Sequence, residues 1–369
     1  MIATTRTITD LLAANAPVAA GVSGGKDSLA MGVALDAYLS SIGHTGPRLF
    51  IHADLGRVEW ASSLPDCEAL AQTLGWELVV VRRAAGDLMD RWLVRWRNNV
   101  ERYTNLSCVR LILPWSTPAM RFCTSELKTA PICRELVRRF PGQTILSASG
   151  LRREESPSRA KKLVSQPQNK LTSVTHATTG YDWHPIIDWT VAEVWAALAS
   201  RGIRIPAPYV VFGSSRVSCR FCIMGSQGDL RASAGCADNA DLYREMVDLE
   251  IVSTFSFQSN TWLGDVAPHL LTEAQRTGLA RAKQRADKRE WIEMRIPKHL
   301  LYSKGWPTVM PSLLEARNLG RVRQEIGDLL EITVKYTDAL SVLGRYEELM
   351  DARPTTFERP TVQTAMEIC

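Results

Sequence analysis

The sequence predicts an α/β protein in which a doubly wound, mainly parallel sheet precedes a helical C-terminal module. Over the first 230 residues, short apolar runs alternate with segments of helical periodicity, as in sheets whose two faces are covered by helices. After residue 230 no apolar run of strand length follows, and the chain becomes helical and charged. We therefore expect two domains, 1–230 and 231–369.

Each element rests on a short pattern. The predicted strands are apolar runs that end in glycine or polar residues, namely 18–22, 48–56, 76–83, 144–150 and 183–188. The segment 131–140 carries its apolar residues on one helical face, and Thr190 with Glu193 forms a capping box that starts another helix. Segments 273–291 and 312–349 are the clearest helices of the second domain.

Composition limits the class of protein. The 369 residues are 45% hydrophobic and 22% charged, as in an ordinary globular protein. No run of about 18 apolar residues occurs, so no membrane span is expected. The N-terminal stretch is mildly apolar and contains Asp10, which is not typical of a secretory signal peptide. We therefore expect a cytoplasmic protein. The net charge of +5 suits an anionic ligand without establishing nucleic-acid binding.

The stretch GVSGGKDSLAMGVAL, residues 21–35, joins the first strand to the first long helix. The free N–H groups of a first helical turn and the helix dipole favour an anion there. Gly24 and Gly25 allow close backbone approach, and Lys26 adds a mobile positive charge. The stretch is not a Walker P-loop, because Asp27 follows the lysine and Ala20 stands where the first glycine would fall.

The six residues from Ser23 to Ser28 resemble the loop of the PP-loop ATP pyrophosphatases, which split ATP between its α- and β-phosphates. The resemblance implies that Ser23, Gly24, Gly25, Lys26, Asp27 and Ser28 bind ATP through its phosphates. Lys26 and Asp27 are then catalytic, with Asp27 helping to place Mg²⁺. By the same resemblance His52 and Asp54, at the end of the second strand, lie beside the adenosine; alternatively they only cap that strand.

Four further segments occur in a characteristic order: FCTSELKTAPICREL (122–136), SGLRREESPSRA (149–160), HPIIDWTVAEVW (184–195) and SCRFCIM (218–224). In order and spacing they resemble the phosphoadenylyl-sulfate and adenylyl-sulfate reductase family. That family includes the sulfur-inserting enzyme of DNA phosphorothioation, whose pattern is the most similar. The resemblance covers roughly residues 15–230 and implies a fold like that of the adenine nucleotide alpha hydrolases.

Eight cysteines in an intracellular chain favour metal or redox chemistry over a disulfide framework. Cys219 and Cys222 have the C-x-x-C spacing that lets two thiolates reach one metal centre. The resemblance adds Cys123 as a ligand of a [4Fe–4S] cluster. Phe122 replaces the first cysteine of the family's adjacent pair, which leaves three matched cysteines.

The ligand count therefore stays open. Either Cys236 or Cys108 supplies a fourth thiolate, or the fourth iron has no protein ligand and can hold sulfide or substrate. A zinc site, or buried cysteines without a metal, remains the alternative to an iron–sulfur cluster.

Positive charge follows the fourth predicted strand. Arg152 and Arg153 come directly after it, which places their guanidinium groups near nucleotide phosphates, and we predict that both are catalytic. Arg159 completes the family-like pattern, and Lys128 is a further candidate phosphate contact. A solvated charged loop is the alternative. In 91–103, arginines and aromatic residues interleave, which suits contact with a single nucleic-acid strand or a helix with core-facing tryptophans.

These features favour an ATP-using enzyme that adenylylates a substrate for sulfur transfer. A DNA, an RNA or a nucleotide would be the acceptor, and a cysteine desulfurase the sulfur donor. The competing class is a sulfonucleotide reductase that releases sulfite. Such reductases have a different loop and a mobile C-terminal cysteine in a Glu-Cys-Gly-like motif, for which Cys369 offers no such context. A nucleotide-sensing module without turnover is the third possibility.

Overall fold

The computed structural model of the chain describes residues 1–353. Within them, six strands form one sheet in the order β3-β2-β1-β4-β6-β5. The strands are β1 Val18–Gly21, β2 Arg48–Asp54, β3 Glu77–Arg82, β4 Thr144–Ser149, β5 Ser165–Pro167 and β6 Thr179–Trp183. All neighbours are parallel except β5, which runs antiparallel to β6 at the edge. β1 lies between β2 and β4, so the strand order reverses at β1. In such sheets ligands bind beyond the carboxyl end of the strand at this switch point.

Helices cover the sheet and make up the rest of the described chain. They are α1 Arg6–Ala13, α2 Lys26–Ser41, α3 Ser63–Leu74, α4 Leu88–Thr104, α5 Phe122–Thr124, α6 Ala130–Arg139, α7 Pro157–Ala160, α8 Val191–Ser200, α9 Ala207–Val210, α10 Gln227–Ala234, α11 Ala240–Ser253, α12 Glu273–Glu293, α13 Leu313–Leu330 and α14 Ala339–Asp351. A π-helical turn, Ser125–Thr129, links α5 to α6. Across residues 1–353, no helix combines the length and apolar composition needed to cross a bilayer.

The predicted doubly wound sheet is confirmed by how β1 is buried. Val18 and Ala20 face a core built with α1, α2, α3 and α8, whereas Ala19 faces a second core built with α6. Successive side chains of a strand point to opposite faces, so both faces of β1 are covered. Gly32 of α2 lies so close to the sheet that an added Cβ would sit 2.9 Å from the Phe50 ring. This close approach fixes the helix that follows the glycine turn.

Two elements differ from the sequence prediction. The strand expected at 183–188 is wrong: β6 ends at Trp183, and Pro185, which has no N–H to donate, lies in the turn beyond it. The helical segment 312–349 is two helices, because Glu331 ends α13 in the left-handed region and Asp338 caps α14 with its side chain. The short edge strand β5 is polar and carries no pattern that predicts a strand.

Contacts divide the chain into two compact units. The first comprises Met1–Met89 and Ser116–Leu242, and the second Asp90–Trp115 with the described residues from Tyr243 onward. The division predicted at residue 230 puts 90–115 in the first domain, whereas the chain's contacts group this segment with the second unit. Trp92 and Trp96 of α4 are buried, and the Trp92 ring packs edge-on against Trp115 at 5.3 Å. The aromatic residues of 91–103 therefore face a core and are not available to stack on bases.

Candidate functional site

The turn between β1 and α2 is held in a conformation that requires glycine. Gly24 has φ +69°, and a Cβ added there would lie 2.7 Å from both Cα and O of Ser63 at the start of α3. Gly25 is the N-cap of α2 and makes no side-chain cap, so the first turn of the helix is left open. The turn thus places buried backbone without side-chain caps at the carboxyl end of β1.

The donors of this turn are largely unused. Ser23 N–H donates to Ser28 Oγ at 3.1 Å, and that hydroxyl donates to the Gly25 carbonyl at 2.9 Å. Within residues 1–353, four backbone N–H groups of the turn have no hydrogen-bond partner: those of Gly24, Gly25, Asp27 and Ser28. Together with the positive end of the α2 dipole they form a cradle for an anion.

Two cations flank the cradle and share one carboxylate. Lys26 Nζ lies 3.0 Å from Asp27 Oδ2, and Arg152 Nε lies 2.6 Å from Asp27 Oδ1. Arg152 is buried and also pairs with Glu154 and donates to the Trp189 carbonyl at 3.2 Å. Burial lowers the pKa of Arg152, but its bond to Asp27 outweighs this, and the pKa is raised. The guanidinium therefore stays charged and fixed beside the turn.

Tyr209 of α9 was not identified from the sequence, and it anchors the turn. Its hydroxyl oxygen accepts from Lys26 N–H at 3.1 Å and from Val217 N–H at 3.2 Å. The Lys26 ammonium lies 5.3 Å from the centre of the ring. Burial raises the pKa of Tyr209 to about 12, so the phenol is neutral at physiological pH. Through this one oxygen the turn is joined to the segment that carries Cys219 and Cys222. The only signal in the sequence is its position ten residues before Cys219, the first cysteine of that C-x-x-C pair.

Cys123 and Cys222 both lie near enough to Cys219 to influence its pKa. Cys123 lies in α5 next to the π-helical turn, which carries Lys128, and Cys219 forms an isolated bridge with Glu59. Burial, and then the nearby Cys222 thiol, raises the pKa of Cys219 to about 12; Lys128 opposes this shift and Cys123 adds to it. The predicted phosphate ligand Lys128 is thus a neighbour of the thiols. π-Helical turns are frequent at functional sites.

The donor set suits soft metals, yet no complete metal site is formed. Three thiols are the chemistry that iron–sulfur clusters and zinc select. In the described part of the chain, however, no group of three or more Cys, His, Asp or Glu side chains is arranged to hold a metal ion. Burial lowers the pKa of Arg220, and the nearby Cys236 thiol opposes this shift. Cys108, in the second unit, accepts a hydrogen bond from Asn99 Nδ2 at 3.7 Å. A ligand set drawn from Cys123, Cys219 and Cys222 would require these side chains to close on the metal.

His52 and Asp54 have protein partners. The two ring nitrogens of buried His52 face the Val22 carbonyl at 2.9 Å and Glu59 Oε2 at 3.0 Å. Burial lowers the pKa of His52, but hydrogen bonds with Cys67 and Glu59 outweigh it and raise the pKa to about 10. Asp54 accepts from Gly56 N–H at 2.7 Å and pairs with Arg82 at 2.5 Å, as expected of a residue that caps the strand end.

The remaining predicted phosphate ligands point to acidic neighbours. Arg153 pairs with Asp188 and donates to the Lys162 carbonyl at 3.3 Å. Arg159 pairs with Glu155. Of the three arginines predicted after β4, only Arg152 contacts the turn.

Comparisons with known proteins identify the family. A family described as the phosphoadenosine phosphosulfate reductase domain matches residues 17–222. No curated protein matches the chain. Two solved structures are similar: the phosphoadenylyl-sulfate (PAPS) reductase from Candida auris in a phosphate complex, and the U34-tRNA thiolase NcsA from Methanococcus maripaludis with its [4Fe-4S] cluster.

The likeness to both structures is weak. The reductase is 12% identical with a TM-score of 0.34, and the match covers 55% of this chain and 80% of that one. The thiolase is 15% identical with a TM-score of 0.35, and the match covers 77% of this chain and 75% of that one. The family match spans more than half of the sequence, and its span begins before the glycine turn and ends at Cys222; the chain belongs to the phosphoadenosine phosphosulfate reductase domain family.

Proposed function

We propose that the protein is an ATP pyrophosphatase that adenylylates a nucleic acid or a nucleotide and so prepares it for sulfur transfer. The observation that carries the proposal is the cradle of four unpartnered N–H groups beside Lys26 and Arg152. Pyrophosphate carries several negative charges on closely spaced oxygens, and it matches a site with backbone donors, an ammonium and a guanidinium.

In the proposed step an acceptor oxygen attacks the α-phosphorus of ATP. The bond from that phosphorus to the bridging oxygen of the β-phosphate breaks, and pyrophosphate leaves with the electron pair. Donors fixed before the reaction stabilise the charge that develops on the leaving group. Each Asp27 oxygen accepts from one cation and keeps a second lone pair, through which it would contact Mg²⁺. Sulfur at the sulfide level then attacks the acceptor atom that carries the adenylyl group; the bond from that atom to the oxygen breaks, and AMP leaves with the electron pair.

The thiol segment supports the second half of the proposal. Cys123, Cys219 and Cys222 would hold a [4Fe–4S] cluster, which when bound supplies an iron that can carry sulfur. Tyr209 keeps the segment of Cys219 joined to the nucleotide turn through two backbone bonds. A cysteine desulfurase would provide the sulfur as a persulfide, and a thiol or one-electron carrier would supply the two electrons that reduce it to sulfide. The family description favours the competing function, which is reduction of a sulfonucleotide with release of sulfite. Cys369, the candidate for the mobile C-terminal cysteine of such a reductase, lies outside the described residues.

Pyrophosphate release from ATP tests the first half. Lys26→Ala should lower the rate by orders of magnitude while circular dichroism stays unchanged, because the lysine ammonium contacts Asp27 and the Tyr209 ring beside the cradle. Lys161→Ala is the matched control, since Lys161 is exposed. A wild-type protein that binds adenylyl sulfate tightly and never turns over ATP is a reductase, and the proposal then fails.

Anaerobic purification with iron, sulfide and zinc analysis tests the second half. Serine at position 123, 219 or 222 should abolish the brown colour and sulfur transfer, while ATP turnover survives. Serine at Cys236 or Cys108 decides whether a fourth thiolate exists, because loss of the cluster there would reveal a closed site. Stoichiometric zinc without iron or acid-labile sulfide contradicts the cluster.

A further inference from the structure

One face of the second unit carries an exposed tryptophan among basic and apolar side chains. We call this face the Trp291 surface; it comprises Trp291, Met294, Arg295, Leu314, Arg317 and Arg321. All eleven tryptophans lie in the described residues, and Trp291, at 62% exposure, is the only one that is not buried or half-buried. Leaving such a large aromatic ring in water is unfavourable, and exposed apolar patches with a polar rim mark binding sites.

Specific contacts hold the end of α12 against α13. Asn318 Nδ2 donates to the Arg295 carbonyl at 2.9 Å, and Arg295 Nη2 lies 2.5 Å from Glu325 Oε2. The Arg295 guanidinium lies 5.4 Å from the centre of the Trp291 ring. On α13, positions 314, 317, 318, 321 and 325 follow helical spacing and share one side. A depression of about 370 Å³ lies among Leu314, Glu315, Arg317, Asn318 and Arg321.

The charge on this surface is unbalanced toward positive. Glu315 is engaged by His299 at 2.8 Å, and Glu325 by Arg295. Arg317 and Arg321 are exposed, one helical turn apart, and within residues 1–353 neither has a carboxylate within ion-pair distance. The exposed Trp291 ring lies on α12, and the two arginines without acidic partners lie on α13, which Asn318 joins to the end of α12. Together they offer a stacking face and a phosphate-binding pair.

We propose that the Trp291 surface binds single-stranded nucleic acid. An unpaired base stacks on Trp291, and the adjoining phosphates contact Arg317 and Arg321. A duplex offers no free base face for the ring, and an acidic protein would gain nothing specific from the indole. The proposal extends the proposed function by assigning the acceptor a binding surface, but binding here needs neither ATP nor a cluster. Its failure is therefore distinguishable from failure of the proposed reaction.

Fluorescence anisotropy with labelled 20-nucleotide single-stranded DNA, single-stranded RNA and duplex DNA tests the proposal on the full chain. Wild type should bind a single strand better than the duplex, with affinity falling as salt rises. Trp291→Ala should weaken binding about ten-fold, and Trp291→Phe should recover part of it. Arg317→Glu with Arg321→Glu should also reduce the slope of log K against log salt by about 1.4, since each phosphate contact contributes about 0.7.

Arg281→Glu is the matched control, because Arg281 is exposed on α12 about 15 Å along the helix from Trp291. It should bind like wild type, and all variants should keep the wild-type thermal transition and basal pyrophosphate release. The proposal is overturned if wild type binds no single strand at low salt, or if the Arg281 variant loses as much affinity as the Arg317 and Arg321 variants. It is also overturned if Trp291→Ala converts a dimer to a monomer in light scattering, which would make this face a protein interface.

Discussion

Replacing Tyr209 by phenylalanine removes one oxygen and leaves two N–H donors without an acceptor. The hydroxyl now accepts from Lys26 N–H at 3.1 Å and Val217 N–H at 3.2 Å. An unsatisfied buried donor costs about 1–3 kcal/mol, and the Lys26 N–H is the more buried of the two. We therefore expect Tyr209→Phe to lower the free energy of unfolding by about 1–3 kcal/mol.

The same change should weaken binding at the turn. Without its anchor the first turn of α2 must be ordered by the ligand, and about 1.4 kcal/mol of added ordering cost equals a ten-fold loss of affinity. Urea denaturation measures the first effect, and calorimetric titration with pyrophosphate the second. Tyr181→Phe is the control, because its hydroxyl has no hydrogen-bond partner among the described residues. The reasoning is refuted if both variants match wild type in both measurements.

Three further predictions follow from the geometry of the site. Arg152→Ala should lower nucleotide affinity in calorimetry about ten- to a hundred-fold, as expected for the loss of one charge-assisted hydrogen bond of about 1.5–3 kcal/mol. Arg153→Ala should leave the affinity near wild type, and equal losses in the two variants would contradict the structure. Gly24→Ala should destabilise more in urea than Gly43→Ala, because both have positive φ but only the first would clash with backbone. The pKa of His52 is raised from 6.5 to about 10, so its protonated form stabilises the fold fully below pH 6.5, and this contribution is lost as pH rises through about 10. His52→Gln should flatten that decline in a denaturation series, and an unchanged slope would rule out the charged imidazole.

The first half of the sheet was predictable because its strands are apolar on both faces. Runs such as Val18–Gly21 and Arg48–Asp54 differ clearly from the amphipathic helices that flank them in the sequence. The glycine turn marks the point where β1 ends and α2 begins. At the far edge this contrast disappears. β6 reads TGYDW and is half-buried, since only a three-residue polar strand lies beyond it. Residues 184–187 are buried without forming a strand, and periodicity cannot separate a buried strand from a buried turn.

The site was predicted in its residue types more than in its contacts. Arg152 and Arg153 are adjacent and chemically equal, so the sequence could not decide which one reaches the turn. Arg152 has an extended backbone, which sends successive side chains in different directions, one to Asp27 and the other to Asp188. Tyr209 depends on a contact across 183 residues of sequence, and no local pattern predicts such a pairing.

The segment of Cys219 is attached to the turn between β1 and α2 from two directions. On one side Val217 N–H bonds to the hydroxyl that also holds Lys26. On the other, the backbone of Cys219 bridges to Glu59, whose carboxylate binds His52 in the strand next to β1. A change of ligand that shifts the first turn of α2 must therefore strain or relax the thiol segment as well. Proposed adenylylation and sulfur transfer act on one acceptor in turn, and a rigid link of this kind keeps both reacting groups in reach without a large motion.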